Sequence, residues 1–375
     1  MVITNLKIVT ETKVIDNGYL VFDNDKIALV GEGKYLGKEQ TIDGKGKIAM
    51  PGFIDVHIHG STGIDFMDAK VEDYKAIAES LYTEGVTTFL ATTLTSDTKS
   101  LERVCAAVKE AKKDNPSLLG IHFEGPYICV KYKGAQNEAF IRNPDKDELA
   151  HLIEVSGNNV RYISMAPEKE GAIDFIKFAT KNGVTVSAGH TDATFDDVAN
   201  GIKAGLTNTT HTHNAMSGHH HRNPGVVTAA MYFNELYTEV ICDTIHVCPN
   251  TLKTFYKVVG PERFVIITDA LKIKNSDLNE FQLFGLDCVR KNGAAYLTTG
   301  PLAGSLLTMD QGIRNMRDIT GANLVELAKI SSRNAAKSLH LTDRGVIMEG
   351  KLADIVLLDE SLHVKDVYKL GKKVY

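Results

Sequence analysis

Val184-Thr-Val-Ser-Ala-Gly-His190 is a run of strand length that ends on a histidine, and Phe195-Asp-Asp-Val-Ala-Asn-Gly-Ile-Lys-Ala204 follows it with helical spacing. One such pair is a single βα unit; its repetition decides the fold. Toward the N-terminus, similar runs occur at Ile48 to His57, Val86 to Thr93, Leu118 to Glu124 and Val160 to Ala166. Toward the C-terminus they recur at Thr207 to His211, Thr238 to Asp243 and Arg263 to Asp269. Amphipathic stretches at Val71 to Glu84, Lys99 to Asp114, Asp145 to Ser156, Ala172 to Asn182 and Leu252 to Val259 alternate with them. Eight such units predict an α/β fold, a closed (β/α)8 TIM-like barrel spanning 49–344. An open doubly wound sheet is the runner-up, but it seldom needs eight units, and no Gly-x-Gly-x-x-Gly follows the first strand. Lys272 to Ser305 reads as an insertion with a hairpin turning at Lys291-Asn292-Gly293, after which helix resumes through Asn323 to Leu339.

The two ends of the chain have a different texture. Val2 to Val9, Gly18 to Phe22 and Lys26 to Val30 read as short strands, and the pattern returns in Ala353 to Leu358 and Lys365 to Val374. Isolated hairpins bury too little surface to stand alone. The ends are therefore expected to meet, residues 1–48 plus 345–375 forming a small β-sandwich domain. The 375 residues are 43% hydrophobic and 24% charged, the composition of a globular chain with a large core. A net charge of -5 without a long basic run argues against nucleic acid as a partner. No apolar stretch approaches the roughly 20 residues needed to span a bilayer, and Met1-Val-Ile-Thr-Asn-Leu-Lys7 lacks the features of a secretory signal. Five cysteines, an odd number with no Cys-x-x-Cys pair, fit reduced thiols, and a cytoplasmic location is expected.

The polar residues at the strand ends carry the chemistry. His57 and His59 close the first run, Glu124 the third, His190 the fifth, His211 the sixth, Asp243 the seventh and Asp269 the eighth. In a barrel all of these fall on the C-terminal rim, where such folds place their active sites. His57-x-His59 puts two imidazoles on one side of a strand. Each residue alone has an ordinary explanation: a solvated pair for His57 and His59, a salt bridge for Glu124, a satisfied core histidine for His190 or His211, a helix N-cap for Asp269. Together they are harder to explain, because every buried polar group needs its own compensation whereas one shared cation satisfies several. Imidazole and carboxylate donors without thiols favour Zn(II) or Fe(II), with Mn(II), Co(II) or Ni(II) also compatible. Glu124, His190 and His211 form one expected metal site. His57 and His59 could hold a second ion, so one or two per subunit are expected. Asp269 beside metal-bound water could accept its proton.

Met50-Pro-Gly-Phe-Ile-Asp-Val-His-Ile-His-Gly60 and Gly350-Lys-Leu-Ala-Asp-Ile-Val356 resemble the opening and closing motifs of the amidohydrolase superfamily. His122-Phe-Glu-Gly-Pro126, Ala188-Gly-His-Thr191, Thr210-His-Thr-His-Asn-Ala-Met216, Arg222-Asn-Pro-Gly225, Asp243-Thr-Ile-His246 and Leu302-Ala-Gly-Ser305 are similar, in order, to motifs of the N-acetylglucosamine-6-phosphate deacetylases. That resemblance implies hydrolysis of a phosphorylated amino sugar by a homodimer. It implies metal ligation by Glu124, His190 and His211 and acid/base catalysis by Asp269. It also implies Asn214 and Ala215 on the sugar phosphate with Arg222 as charge partner, and Asp243 and His246 near the sugar. Leu302, Ala303 and Gly304 would line the pocket together with Ala135 and Gln136.

Two positions depart from the family pattern. Gln136 stands where histidine is frequent, and can orient or polarise an acetyl group but cannot take a proton. Thr244 follows Asp243 where glycine is usual, which narrows the backbone's freedom. Two other readings remain open: a related amidohydrolase acting on a cyclic amide or nucleobase, which needs no phosphate anchor, and a non-catalytic barrel. His219-His-His221 reads as a basic loop rim rather than a further metal site.

Overall fold

The computed structural model describes residues 1–375. Eight parallel strands lie side by side in chain order: Phe53–Asp55, Val86–Thr93, Leu118–Glu124, Val160–Met165, Thr185–Ala188, Asn208–Thr209, Tyr237–Ile241 and Phe264–Ile267. The first and eighth do not form a regular ladder, so the barrel is nearly closed rather than seamless. The gap is bridged by Asp269 N–H donating to the His57 carbonyl at 2.8 Å and by Thr268 Oγ1 donating to buried Asp55 at 2.6 Å. Both bridges lie next to the histidines and aspartate at the rim, so the seam itself helps to place the site.

Helices cover the outside, and their starts follow local chemistry. Asp97 and Asp145 cap Thr98–Ala111 and Lys146–Val155 with side-chain oxygens, and Thr194 with Asp197 forms a capping box on Phe195–Ala204. The apolar faces of these helices and the outward faces of the strands share one core of 74 buried residues. Inside the barrel, Ile54, Val56, Leu90, Ile241, Val265 and Ile267 form an apolar floor. Above it the interior turns polar, with a chain of hydroxyls from Ser187 through Thr210 to Ser164.

Several boundaries differ from the sequence reading. The expected first strand, Ile48 to His57, is two strands divided at Gly52. Ile48–Pro51 pairs antiparallel with Ile355–Leu358 and parallel with Val2–Val9, and only Phe53–Asp55 joins the barrel. The Pro51-Gly52 pair inside the run marks the break, a signal that the sequence reading passed over. The chain ends do come together, in one eight-stranded sheet with a separate core of 13 buried side chains. The hairpin at Asn292-Gly293 is present, with Lys291 opposite Ala294 and both turn residues at positive φ (49° and 81°). It belongs to a four-stranded antiparallel sheet that also contains Glu280–Leu283 and Leu302–Ser305. Helices Val226–Tyr232 and Met309–Thr320 were not foreseen. Asn323 to Leu339 is helical but contains a π turn at Lys329–Arg333, which Glu262 clamps through Lys329 at 2.5 Å and Arg333 at 2.6 Å. No helix is long and apolar enough to cross a membrane.

Candidate metal centre

His190, His211 and Asp269 all leave their strands with left-handed backbone, at φ 49°, 30° and 48°. For residues other than glycine this conformation costs about 1–3 kcal/mol each and persists only where surroundings enforce it. Here the neighbouring chain does so. The His190 carbonyl accepts from Cys129 N–H at 2.7 Å, and the Asp269 carbonyl accepts from Ser305 N–H at 2.9 Å. Gly304 allows that second approach: a Cβ on it would stand 2.8 Å from Leu271 Cγ and 3.1 Å from the Asp269 carbonyl oxygen.

The turned side chains converge. His190 Nε2 and His211 Nε2 each lie 3.1 Å from Glu124 Oε1 and 3.1 Å from each other. Their Nδ1 atoms face the carbonyls of Tyr132 and Asn214 at 2.9 and 3.2 Å. A carbonyl can only accept, so each Nδ1 carries a proton and each ring presents its Nε2 to the Glu124 oxygen. Two ring nitrogens and a carboxylate oxygen aimed at one point fit a cation. A second group adjoins the first: Asp269 Oδ1 is 3.2 Å from His59 Nε2 and 3.4 Å from His57 Nε2. His57 Nε2 also lies 3.2 Å from Glu124 Oε1, so the two triads share one edge.

The electrostatics agree. Burial opposes charge on His57 and His59, yet the Glu124 and Asp269 carboxylates hold His57 well above its ordinary range and push His59 up to about 9. Burial would raise the pKa of Glu124, but the surrounding imidazoles, His57 and His190 foremost, hold it well below the usual carboxylate range. The pocket attracts positive charge, and divalent ions would supply it in place of protons.

His59, Glu124, His190, His211 and Asp269 floor a cavity of about 330 Å³. Ala135, Asn214, Ala215 and His246 line it. So do Leu302, Ala303 and Gly304, from the strand added after the eighth barrel strand. Gln136 also borders it, but its amide is already engaged: Nε2 donates to Glu124 Oε2 at 2.5 Å while Oε1 accepts from Thr95 N–H at 2.7 Å. It therefore orients the Glu124 carboxylate, where the sequence reading aimed it at the acetyl group. Asp243 does not line the cavity; it stands behind His246, its Oδ2 2.6 Å from Nδ1. Thr244 takes the left-handed conformation (φ 67°) that glycine would adopt freely. Arg222, like Asp243, is an expected substrate contact that does not line the cavity, and it lies farther out. It is exposed, outside the cavity lining, with Nη1 2.7 Å from His221 Nε2.

Three buried residues behind the ligands escaped the sequence reading. His122 spans the barrel from the Val56 carbonyl (3.1 Å) to Ser164 Oγ (2.7 Å), and burial keeps it neutral. Glu239 receives the Tyr162 hydroxyl and lies 3.4 Å from His57 Nδ1. Glu239 was detectable by the logic applied to Glu124, as an acid inside the apolar run Tyr237–Ile241.

The model of the amidohydrolase family matches residues 48–374, and the chain belongs to that family. Within it, the chain groups with deacetylases of acetylated amino-sugar phosphates. The N-acetylglucosamine-6-phosphate deacetylase of Lysinibacillus sphaericus is 36% identical, over 99% of this chain and 97% of its own. The N-acetylgalactosamine-6-phosphate deacetylase of Escherichia coli O157:H7 is 32% identical, over 87% of each. Among solved structures, a mutant N-acetyl-D-glucosamine-6-phosphate deacetylase of Mycobacterium smegmatis, in complex with N-acetyl-D-glucosamine-6-phosphate, superposes with a TM-score of 0.95 at 29% identity. That likeness covers 100% of this chain and 99% of the other.

Proposed function

We propose that this chain hydrolyses N-acetyl-D-glucosamine 6-phosphate to D-glucosamine 6-phosphate and acetate, in amino-sugar catabolism. The observation that carries the reading is the convergence of Glu124, His190 and His211 within 3.1 Å, beside Asp269, at the floor of one cavity. The relatives' activity supports the choice of substrate. Glu124, His190 and His211 would hold the main ion, and His57, His59 and Asp269 a second, with Zn(II) or Fe(II) foremost. Such ions acidify water and polarise a carbonyl oxygen.

The chain's own groups do the rest. Asp269 takes the proton of the attacking water and returns it to the departing amine, so one carboxylate serves as base and then acid. Gln136 keeps Glu124 oriented, and His246, anchored by Asp243, meets the sugar. Asn214 and Ala215 receive the phosphate. Arg222, exposed and outside its own cavity, serves as phosphate partner across the contact of a homodimer, where its guanidinium can fork onto two phosphate oxygens. Five free cysteines, three of them buried, support a cytoplasmic location. The separate core of the terminal sheet supports a small β-sandwich-like domain flanking the barrel, with its first boundary near Gly52.

Acetate release from N-acetylglucosamine, N-acetylgalactosamine and N-acetylmannosamine, each with and without 6-phosphate, tests the assignment. The 6-phosphate of N-acetylglucosamine should react with the highest kcat/KM. Equal efficiency on the unphosphorylated sugar would remove the phosphate anchor from the reading.

A further inference from the structure

Glu239 is wholly enclosed in the barrel, yet the proposed chemistry assigns it nothing. Its hydrogen-bond partners are the Tyr162 hydroxyl on Oε1 and His57 Nδ1, 3.4 Å from Oε2. Neither neutralises a carboxylate unless charge arrives through the imidazole, and an uncompensated buried charge costs several kcal/mol. The far nitrogen of the same ring, His57 Nε2, is buried without a hydrogen-bond partner, 3.2 Å from Glu124 Oε1 and 3.4 Å from Asp269 Oδ1. His57 is thus held between carboxylates on both sides. With an ion bound, one arrangement satisfies every group: Nδ1–H donates to Glu239, and the Nε2 lone pair faces the cation.

We propose that Glu239 is the positioning residue for the second cation, fixing the tautomer and orientation of His57 so that His57, His59 and Asp269 hold an ion beside the one on Glu124, His190 and His211. The inference rests on the metal-dependent reading above. Glu124, Asp269 and Glu239 bring three carboxylates against these imidazoles, an acidic surround that favours cations here. Tyr162 stops Glu239 from turning away, and its ring is itself braced edge-on against His122 at 4.6 Å between centroids. Carboxylates acting on a metal through histidine typically contribute 10- to 100-fold in metal affinity.

The test is metal stoichiometry and affinity, by elemental analysis and competition with a chromophoric chelator, on wild type and Glu239→Gln. Wild type should hold two ions per chain. Glu239→Gln should retain the tighter ion and bind the second about 10- to 100-fold more weakly, and Co(II)-loaded protein should lose the absorption of one site only. Glu239→Asp, which keeps the charge but shortens the reach, serves if the glutamine variant does not fold; it should weaken the second ion by at least about tenfold. Unchanged second-ion affinity, equal loss of both ions, or a wild type that binds only one ion overturns the inference and leaves the metal-dependent function standing. A wild type that binds none removes both.

Discussion

Gln136 stands where the resemblance leads one to expect histidine, and its environment says what each replacement should do. The side chain is only 5% exposed and makes two hydrogen bonds, one to the Glu124 carboxylate and one from the Thr95 amide. A bond to a charged partner contributes about 1.5–3 kcal/mol, and a buried amide left without its acceptor costs about 1–3 kcal/mol. Gln136→Leu loses both, so about 3 kcal/mol is expected once relaxation and non-additivity are allowed for, roughly 4 °C in Tm for a chain of this length. Release of Glu124 Oε2 should also weaken the bound metal by about tenfold.

Gln136→His is the informative control. A neutral imidazole has one N–H donor and one bare nitrogen spaced much like the amide's nitrogen and oxygen, so it can donate to Glu124 while accepting from Thr95. It should cost less than about 1 kcal/mol and hold metal within about threefold of wild type. Differential scanning calorimetry of metal-free protein and chelator competition on metal-loaded protein measure the two effects. A leucine variant as stable and as metal-competent as wild type would refute the reasoning. So would a histidine variant as impaired as leucine.

Asp269→Asn keeps shape but cannot move a proton; kcat should fall by about 10²- to 10⁴-fold while the ion on Glu124, His190 and His211 is retained, and near-normal turnover would discard Asp269 as acid/base. Gly304→Ala forces a Cβ to within 2.8 Å of Leu271 and 3.1 Å of the Asp269 carbonyl; about 1–3 kcal/mol of stability should go, with a drop in kcat rather than a rise in KM. The third prediction concerns acid. Lys329 and Arg333 hold the Glu262 carboxyl down to about 2, so its stabilisation is complete above its unfolded value of about 4.3 and is lost as pH falls toward the folded value. Glu262 is largely exposed, so the effect is small; Glu262→Gln should lower Tm near pH 6, and the deficit should shrink below about pH 5. A deficit that does not change with pH would show that the ion pairs contribute nothing.

The barrel was legible because most of its eight strands are apolar runs that end on polar residues, a pattern that survives without tertiary information. All the expected metal-facing residues meet for the same reason: strand ends in a barrel share one rim. What the sequence hid was partnership. Ile48 to His57 reads as one strand because both sheets want apolar residues on either side of Pro51-Gly52, the pair that marks the change of sheet. Leu302–Ser305 falls in the stretch read as an insertion and carries no strand pattern of its own, yet its residues pair beside Asp269. Gln136 and Asp243 were recognised as site residues, but whether a polar side chain meets the substrate or braces another protein group depends on a few ångströms. Arg222 is the limiting case: its charge is plain in the sequence, and its place outside its own cavity is a property of the fold alone.

The central claim is that Glu124, His190 and His211 gather around a divalent cation. Anomalous diffraction collected on either side of the metal absorption edge, from crystals of freshly purified and active protein, tests it directly. The expected result is a peak within ordinary coordination distance of Glu124 Oε1, His190 Nε2 and His211 Nε2. Full deacetylase activity in crystals with no peak there would contradict the account.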